Sequence, residues 1–197
     1  MLKNTLFRQI SIFFGVSTIL VFIFLVGLIT LSPYGQKSDH EYKLIKESVV
    51  IDAPVEKVFQ YLGNSNNARK WSVFVDHIST INSDRIKDGA IGSIRRCFVH
   101  ADESGETWDE ETLIVESNKR RRLNCYNFQN FSLKADNLLT EQLYLPLDNG
   151  QCKLSFTLFF NPAKASNIEI LKMYYAAFSI ADIFQKNLEN IKALNEV

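Results

Sequence analysis

The sequence predicts an α+β domain preceded by a membrane-spanning helix. Three observations lead there. An almost wholly apolar stretch runs from Ile10 to Leu31, with no charged residue between Arg8 and Lys37. Seven short runs rich in β-branched and aromatic residues follow, most of them separated by Gly-, Asn- and Asp-containing turns. One long segment with helical apolar spacing closes the chain. Antiparallel-type strands in series, with the helices set apart from them, define an α+β rather than an alternating α/β layout.

Composition sets the outer limits. Hydrophobic residues make up 46% and charged residues 22% of the 197, which fits a globular chain and excludes a disordered one. Lys plus Arg and Asp plus Glu are both 22, so the net charge is zero and no nucleic-acid partner is expected. The three cysteines, Cys97, Cys125 and Cys152, fall in alternate strands, which predicts free, buried thiols.

The first element is the segment 10–31, after a short tail, 1–9. It is apolar on all sides, and about 20 such residues cross a bilayer. It is too long for the roughly 7–15-residue core of a signal peptide, and Leu31-Ser-Pro-Tyr34 is a poor cleavage site. Lys3 and Arg8 before it nearly balance Lys37, Lys43 and Lys46 after it. A short tail followed by a folded domain favours a signal anchor, so the domain is expected on the extracytoplasmic side. Asn130-Phe-Ser132 matches a glycosylation sequon, a pattern also frequent by chance. A polar tether is expected over 32–40 and the folded domain over 41–197.

Within the domain, Tyr42–Asp52 predicts the first strand. Asp52-Ala-Pro54 opens a helix, with Asp52 as cap and Pro54 in the first turn. Val55, Val58, Phe59 and Leu62 share one of its faces, and Gly63-Asn64 ends it. A second short helix is expected over Asn66–Trp71. Strands follow at His77–Asn82, Ile94–Val99, Trp108–Glu116, Arg122–Phe128, Leu138–Leu147 and Cys152–Phe160. Asn149-Gly150 is a hairpin turn between the last two. Cys152, Leu154, Phe156, Leu158 and Phe160 present one apolar face. The final helix spans about Ser166–Asn195, with Ala177, Ile180, Phe184, Leu188, Ile191 and Leu194 as its stripe.

This order, and the run Val49-Val-Ile-Asp-Ala-Pro-Val-Glu-Lys-Val-Phe59, resemble the START-like, helix-grip superfamily (SRPBCC), which includes lipid-transfer and polyketide cyclase/dehydrase-like proteins. Trp71, the pair Gly89 and Gly92, and Arg121-Arg122-Leu123 fit the same resemblance, which covers about 41–195. The family includes members anchored by one N-terminal helix. The resemblance implies a curved seven-stranded antiparallel sheet wrapped on the C-terminal helix, with an apolar ligand cavity between them. It implies no fixed chemistry, because a fold of this kind carries binders, transporters and enzymes.

Catalytic patterns are absent from the sequence. No nucleophile elbow or triad pattern occurs. His40, His77 and His100 read as surface residues, and Glu111 and Glu141 as carboxylates on a solvated sheet face. The segment His100–Glu111 is rich in oxygen ligands but lacks calcium-loop spacing and reads as an acidic turn. Lys119-Arg-Arg-Arg122 reads as a solvated turn, and the topology that the resemblance implies puts it about 30 Å from the tether for a nine-residue strand. No metal or cofactor is expected. The remaining lead is aromatic: Trp71, Phe74, Trp108, Tyr126, Tyr144, Phe156, Tyr174 and Phe178 are the candidate cavity lining, with core packing as the alternative. The expected activity is reversible, membrane-tethered binding of a small hydrophobic molecule or lipid. The alternatives are a cyclase/dehydrase-like enzyme using cavity acid–base groups, and a non-catalytic interaction module with a filled interior.

Overall fold

The structure, a computed structural model, describes residues 2–37, 43–133, 138–160 and 165–196, with side chains from residue 12 onward except 14, 36, 37 and 43. The chain divides into two compact units, Met1–Ser32 and Pro33–Val197.

The first unit is helix α1, Leu2–Leu31, which contains the predicted apolar segment. Among the described residues no helix is long and apolar enough to cross a membrane. The helix is therefore established and a spanning role is not.

The second unit is an antiparallel sheet with helices on one face. Its elements are β1 (Gln36–Lys37), β2 (Lys43–Ile51), α2 (Val55–Leu62), α3 (Ala68–Trp71), β3 (His77–Thr80), β4 (Ile94–Phe98), β5 (Thr107–Glu116), β6 (Arg120–Gln129), β7 (Leu138–Pro146), β8 (Cys152–Phe160) and α4 (Asn167–Asn195). The strand order is β1-β2-β8-β7-β6-β5-β4-β3, so β3 to β8 meander and β2 returns to pair with the last strand. The seven predicted strands are all present, and the sheet gains an eighth, the two-residue β1.

That extra strand changes the reading of the tether. Tyr34 is 2% exposed and packs edge-on against Tyr174 at 4.9 Å and Phe160 at 5.9 Å. Gln36 and Lys37 pair with Leu44 and Lys43. The segment 33–37 is thus part of the domain, because its tyrosine supplies apolar area that the edge of the core lacks. His40 and the predicted strand start at Tyr42 lie outside the described residues.

The helix starts follow local chemistry, with one difference. Pro54 occupies the cap position of α2 and makes no side-chain cap bond. Asp52 does not cap. Its backbone N–H instead donates to Glu196 Oε1 at 2.8 Å, tying the β2–α2 turn to the end of α4. Lys57 Nζ donates to the Asn195 carbonyl at 2.7 Å and closes the same corner. At α4 the Ser166 hydroxyl accepts from the Glu169 N–H, as the pattern requires. In the last hairpin Asn149 and Gly150 both adopt positive φ, 64° and 78°, the backbone that a tight turn between antiparallel strands demands.

Helix α4 packs on β2 and β8 and meets α3. Its own Met173, Ala177, Leu188 and Ile191 are fully buried, and its Phe184 stands edge-on to Phe156 at 5.8 Å. The interface between sheet and C-terminal helix, where the cavity was expected, is filled by these side chains. The turn between β5 and β6 lies at the opposite end of the strands from β1, as expected.

Candidate functional site

The interior space lies under α2 and α3. A cavity of about 50 Å³ is lined by Leu62, Asn64, Ser65, Ala68 and Trp71 from the helical segment. Val75, Ile78, Arg95, Cys97, Glu110 and Gln142 line it from β3, β4, β5, β7 and the α3–β3 loop. It holds a few water-sized groups, far less than the roughly 300–1,000 Å³ of a typical small-molecule pocket.

Its floor is an ion pair. Arg95 on β4 and Glu110 on β5 are direct cross-strand partners and point to the helix side of the sheet. Arg95 Nε and Nη2 donate to Glu110 Oε2 at 2.8 and 2.7 Å. Arg95 Nη1 donates to the Ser65 hydroxyl at 3.2 Å, and Trp108 Nε1 donates to Glu110 Oε1 at 3.0 Å. The Cys125 thiol approaches the same oxygen at 3.9 Å. Both carboxylate oxygens are thereby occupied. Burial works against the charge on Arg95, but Glu110 beside it and Asp88 further off hold its pKa above the ordinary value, so it stays ionised. Burial, reinforced by Glu110, pushes the Cys97 and Cys125 thiols well up, so they remain neutral.

A second polar chain borders the cavity. Gln142 lies opposite Arg121 in the β6–β7 ladder. Arg121 Nη1 donates to the Tyr144 hydroxyl at 2.9 Å, and that hydroxyl donates to Gln142 Oε1 at 2.6 Å. Burial raises the Tyr144 pKa, and the Arg121 charge opposes the rise only in part. The phenol therefore stays protonated and keeps its donor.

The eight aromatic candidates divide three ways. Trp71 lines the cavity, and Trp108 positions Glu110. Phe74 stacks on Trp108 at 5.7 Å, Phe156 stands edge-on to Trp71 at 5.9 Å, and Tyr144 holds Gln142. These three back the site without lining it. The remaining three are elsewhere. Tyr126 faces the other side of the sheet, opposite Asp109. Phe178 is 44% exposed on the outer side of α4, and Tyr174 packs on Tyr34.

Arg95, Glu110, Arg121, Gln142 and Ser65 were not foreseen. The signal for two of them was present. With Cys97 and Trp108 read as inward, strand alternation puts Arg95 and Glu110 on the same face. The basic run also divides by alternation. Arg120 pairs with Glu116 and Arg122 with Glu141, while Arg121 turns inward, so the run is not a solvated turn. Glu141 is correspondingly part of an ion pair rather than a free surface carboxylate. His77 stacks on Phe98 at 4.7 Å beside Asp76, and His100 lies against Gly105, so neither lines the cavity. In the acidic turn Asp102 accepts from Ser104, and among the described residues no cluster could hold a metal ion.

A sequence profile described as polyketide cyclase / dehydrase and lipid transport matches residues 44–196. The chain belongs to this family. The family fold recurs in solved structures. The aromatase/cyclase ZhuI from Streptomyces sp. R1128 is 13% identical with a TM-score of 0.58, covering 79% of this chain and 94% of its own. A protein from Nitrosospira multiformis is 15% identical with a TM-score of 0.59, over 77% and 95%. Major latex-like protein 151 from Panax ginseng is 10% identical with a TM-score of 0.55, over 79% and 99%. At such identities the likeness shows the fold alone. No curated protein matches the sequence. This member of the polyketide cyclase/dehydrase and lipid-transport family thus holds polar groups in its own interior, under α2 and α3.

Proposed function

We propose that the domain reversibly binds a small hydrophobic molecule, inserted polar end first beneath α3. The observation that carries this reading is the buried Arg95–Glu110 pair at the floor of an otherwise largely apolar space whose outer wall holds Asn64 and Trp71. A buried ion pair seldom adds net stability over an apolar replacement, so its presence in the interior favours recognition of a polar group. The space is small in this conformation, and α3 is the element able to enlarge it. It has four residues, and two amide contacts from α4 brace its C-terminal end: Asn187 Oδ1 accepts from the Val73 N–H at 2.8 Å, and Asn190 Nδ2 donates to the Trp71 carbonyl at 3.1 Å. Outward motion of α3 would join the cavity to solvent. Binding would then gain about 25 cal/mol per Å² of apolar surface removed from water, less the cost of ordering.

Catalysis by Glu110 as a general base fits less well. Its oxygens already accept from Arg95 and Trp108, and an arginine does not serve as an acid near neutral pH. The 30-residue helix α1, uncharged after Arg8, supports membrane tethering that keeps the domain near a lipophilic ligand. The domain then lies on the extracytoplasmic side.

Native mass spectrometry of the full chain, purified in detergent from cells without added ligand, tests the binding. The expected result is a lipophilic mass released on denaturation. A clean apo mass, with no thermal protection by a panel of lipids and small hydrophobic molecules, counts against it. Alkaline carbonate extraction of membranes tests the anchor separately. The chain should stay in the pellet, and release into the supernatant removes the tether.

A further inference from the structure

Five arginines lie on strands β4 and β6, and one of them lacks a carboxylate. Arg95 pairs with Glu110, Arg96 with Asp109, Arg120 with Glu116 and Arg122 with Glu141. Arg121 is 8% exposed, and its partners among the described residues are two rings and one phenol. Its guanidinium carbon sits 3.5 Å from the Phe59 ring centroid and 5.8 Å from that of Tyr144. Its Nε is buried without an acceptor. Ring faces recover part of the desolvation of a cation, but they do not neutralise it.

The fold also makes room for this group. Gly63 ends α2, and a Cβ placed there would lie 2.6 Å from Arg121 Nη2. The guanidinium therefore lies against Gly63, between the lining residues Leu62 and Asn64, and Arg121 itself stands just behind the cavity wall. Gln142, opposite Arg121, accepts from Tyr144 through Oε1, which leaves its amide nitrogen as the donor to be turned toward the cavity. Arg95, by contrast, is already matched by Glu110, with Asp88 adding to the negative charge near it. Arg121 is thus the guanidinium at this end of the cavity that has no carboxylate within ion-pair distance among the described residues.

We propose that the ligand is a hydrophobic monocarboxylate whose carboxylate is received by Arg121 and Gln142 at the α2 end of the cavity. This rests on the binding reading above and names the chemical class that reading leaves open. A carboxylate matches the planar guanidinium and supplies the directly paired counter-charge that Arg121 lacks among the described residues. The small cavity suits a head group, with the apolar tail lying under a displaced α3.

The test compares hexanoate with 1-hexanol, equal in chain length and different in charge. The full chain in lipid nanodiscs is titrated with each at pH 8, with tryptophan fluorescence and thermal shift as readouts. The expected result is hexanoate binding about tenfold or more tighter than hexanol, the scale of a hydrogen bond to a charged group. Arg121→Met should bring the two to parity, and Arg121→Lys should keep part of the preference. Should Arg121→Met not fold, Gln142→Leu is expected to reduce the preference without abolishing it. Equal affinity for acid and alcohol in the unmodified chain overturns the carboxylate assignment and leaves hydrophobic binding standing. Binding of neither removes both. A preference unchanged in Arg121→Met, or in Gln142→Leu where that variant takes its place, also overturns the assignment.

Discussion

The helix-covered face of the sheet has two halves built on opposite terms. Under α4 the space is solid, with Met173, Ala177, Leu188 and Ile191 meeting Ile45, Leu154, Phe156 and Leu158. Under α2 and α3 it holds a small void, an ion pair, a buried guanidinium and two neutral thiols. The strands differ, β2 and β8 under α4 and β3, β4, β5 and β7 around the void, and so do the covering elements. A 29-residue helix drives a largely apolar stripe into the sheet, whereas an eight-residue and a four-residue helix leave the strands' polar side chains partly uncovered. A solid half and a half that holds a void and polar side chains thus coexist on one surface.

Breaking the ion pair should give the largest effect. Glu110→Leu leaves Arg95 buried without its direct partner and is expected to cost about 3–5 kcal/mol in chemical denaturation, while the double variant Arg95→Met/Glu110→Leu should recover most of the loss. If the single and double variants are equally unstable, the pair is not coupled as described. In the solid half, Leu188→Ala should cost about 2–5 kcal/mol through lost burial and the void it leaves. Gly63→Ala sharpens the boundary between the halves. The new methyl must displace Arg121 from its seat, at an expected cost of about 1–3 kcal/mol in the same assay.

A smaller effect belongs to the sheet's other face. Burial pushes the Asp109 carboxyl up, but bonds from Arg96 and Asn127 outweigh it and hold the pKa below the ordinary value. A carboxyl lowered on folding adds stability above its unfolded pKa of about 3.9 and loses that contribution as pH falls through the folded value. The Arg96→Met variant should therefore show a weaker loss of stability below about pH 4 than the unmodified chain in acid titration. The smallest effect is expected for Phe178→Ala. With its ring 44% exposed, the change should stay within about 0.5 kcal/mol and leave ligand binding unaltered.

Much of this division was legible in the residues. Strand alternation in Cys152–Phe160 and the stripe of the last helix lead directly to the solid half. The hairpin at Asn149-Gly150 and the return of the first strand to the last also follow from local signals and the family resemblance. The polar half was harder for physical reasons. Arg95 and Glu110 look like surface residues one at a time, and only their pairing across two strands makes burial tolerable. Arg121 was hidden inside a basic run whose members face opposite ways. Phe178 failed as a lining residue because a helix presents an apolar side chain outward as readily as inward, and spacing alone does not choose. Tyr34 was missed because a single aromatic in a Pro-, Gly- and Ser-containing stretch carries no periodicity.

The three cysteines carry a compartmental consequence. Each is free and buried, and Cys97 and Cys125 lie on strands separated by β5, about 10 Å apart at ordinary strand spacing. That is beyond the reach of a disulfide without backbone rearrangement, and thiols held neutral react slowly with oxidants. The domain's covalent structure is accordingly indifferent to the redox state of its surroundings. The same folded unit would persist unchanged in a reducing cytosol or in an oxidising exterior.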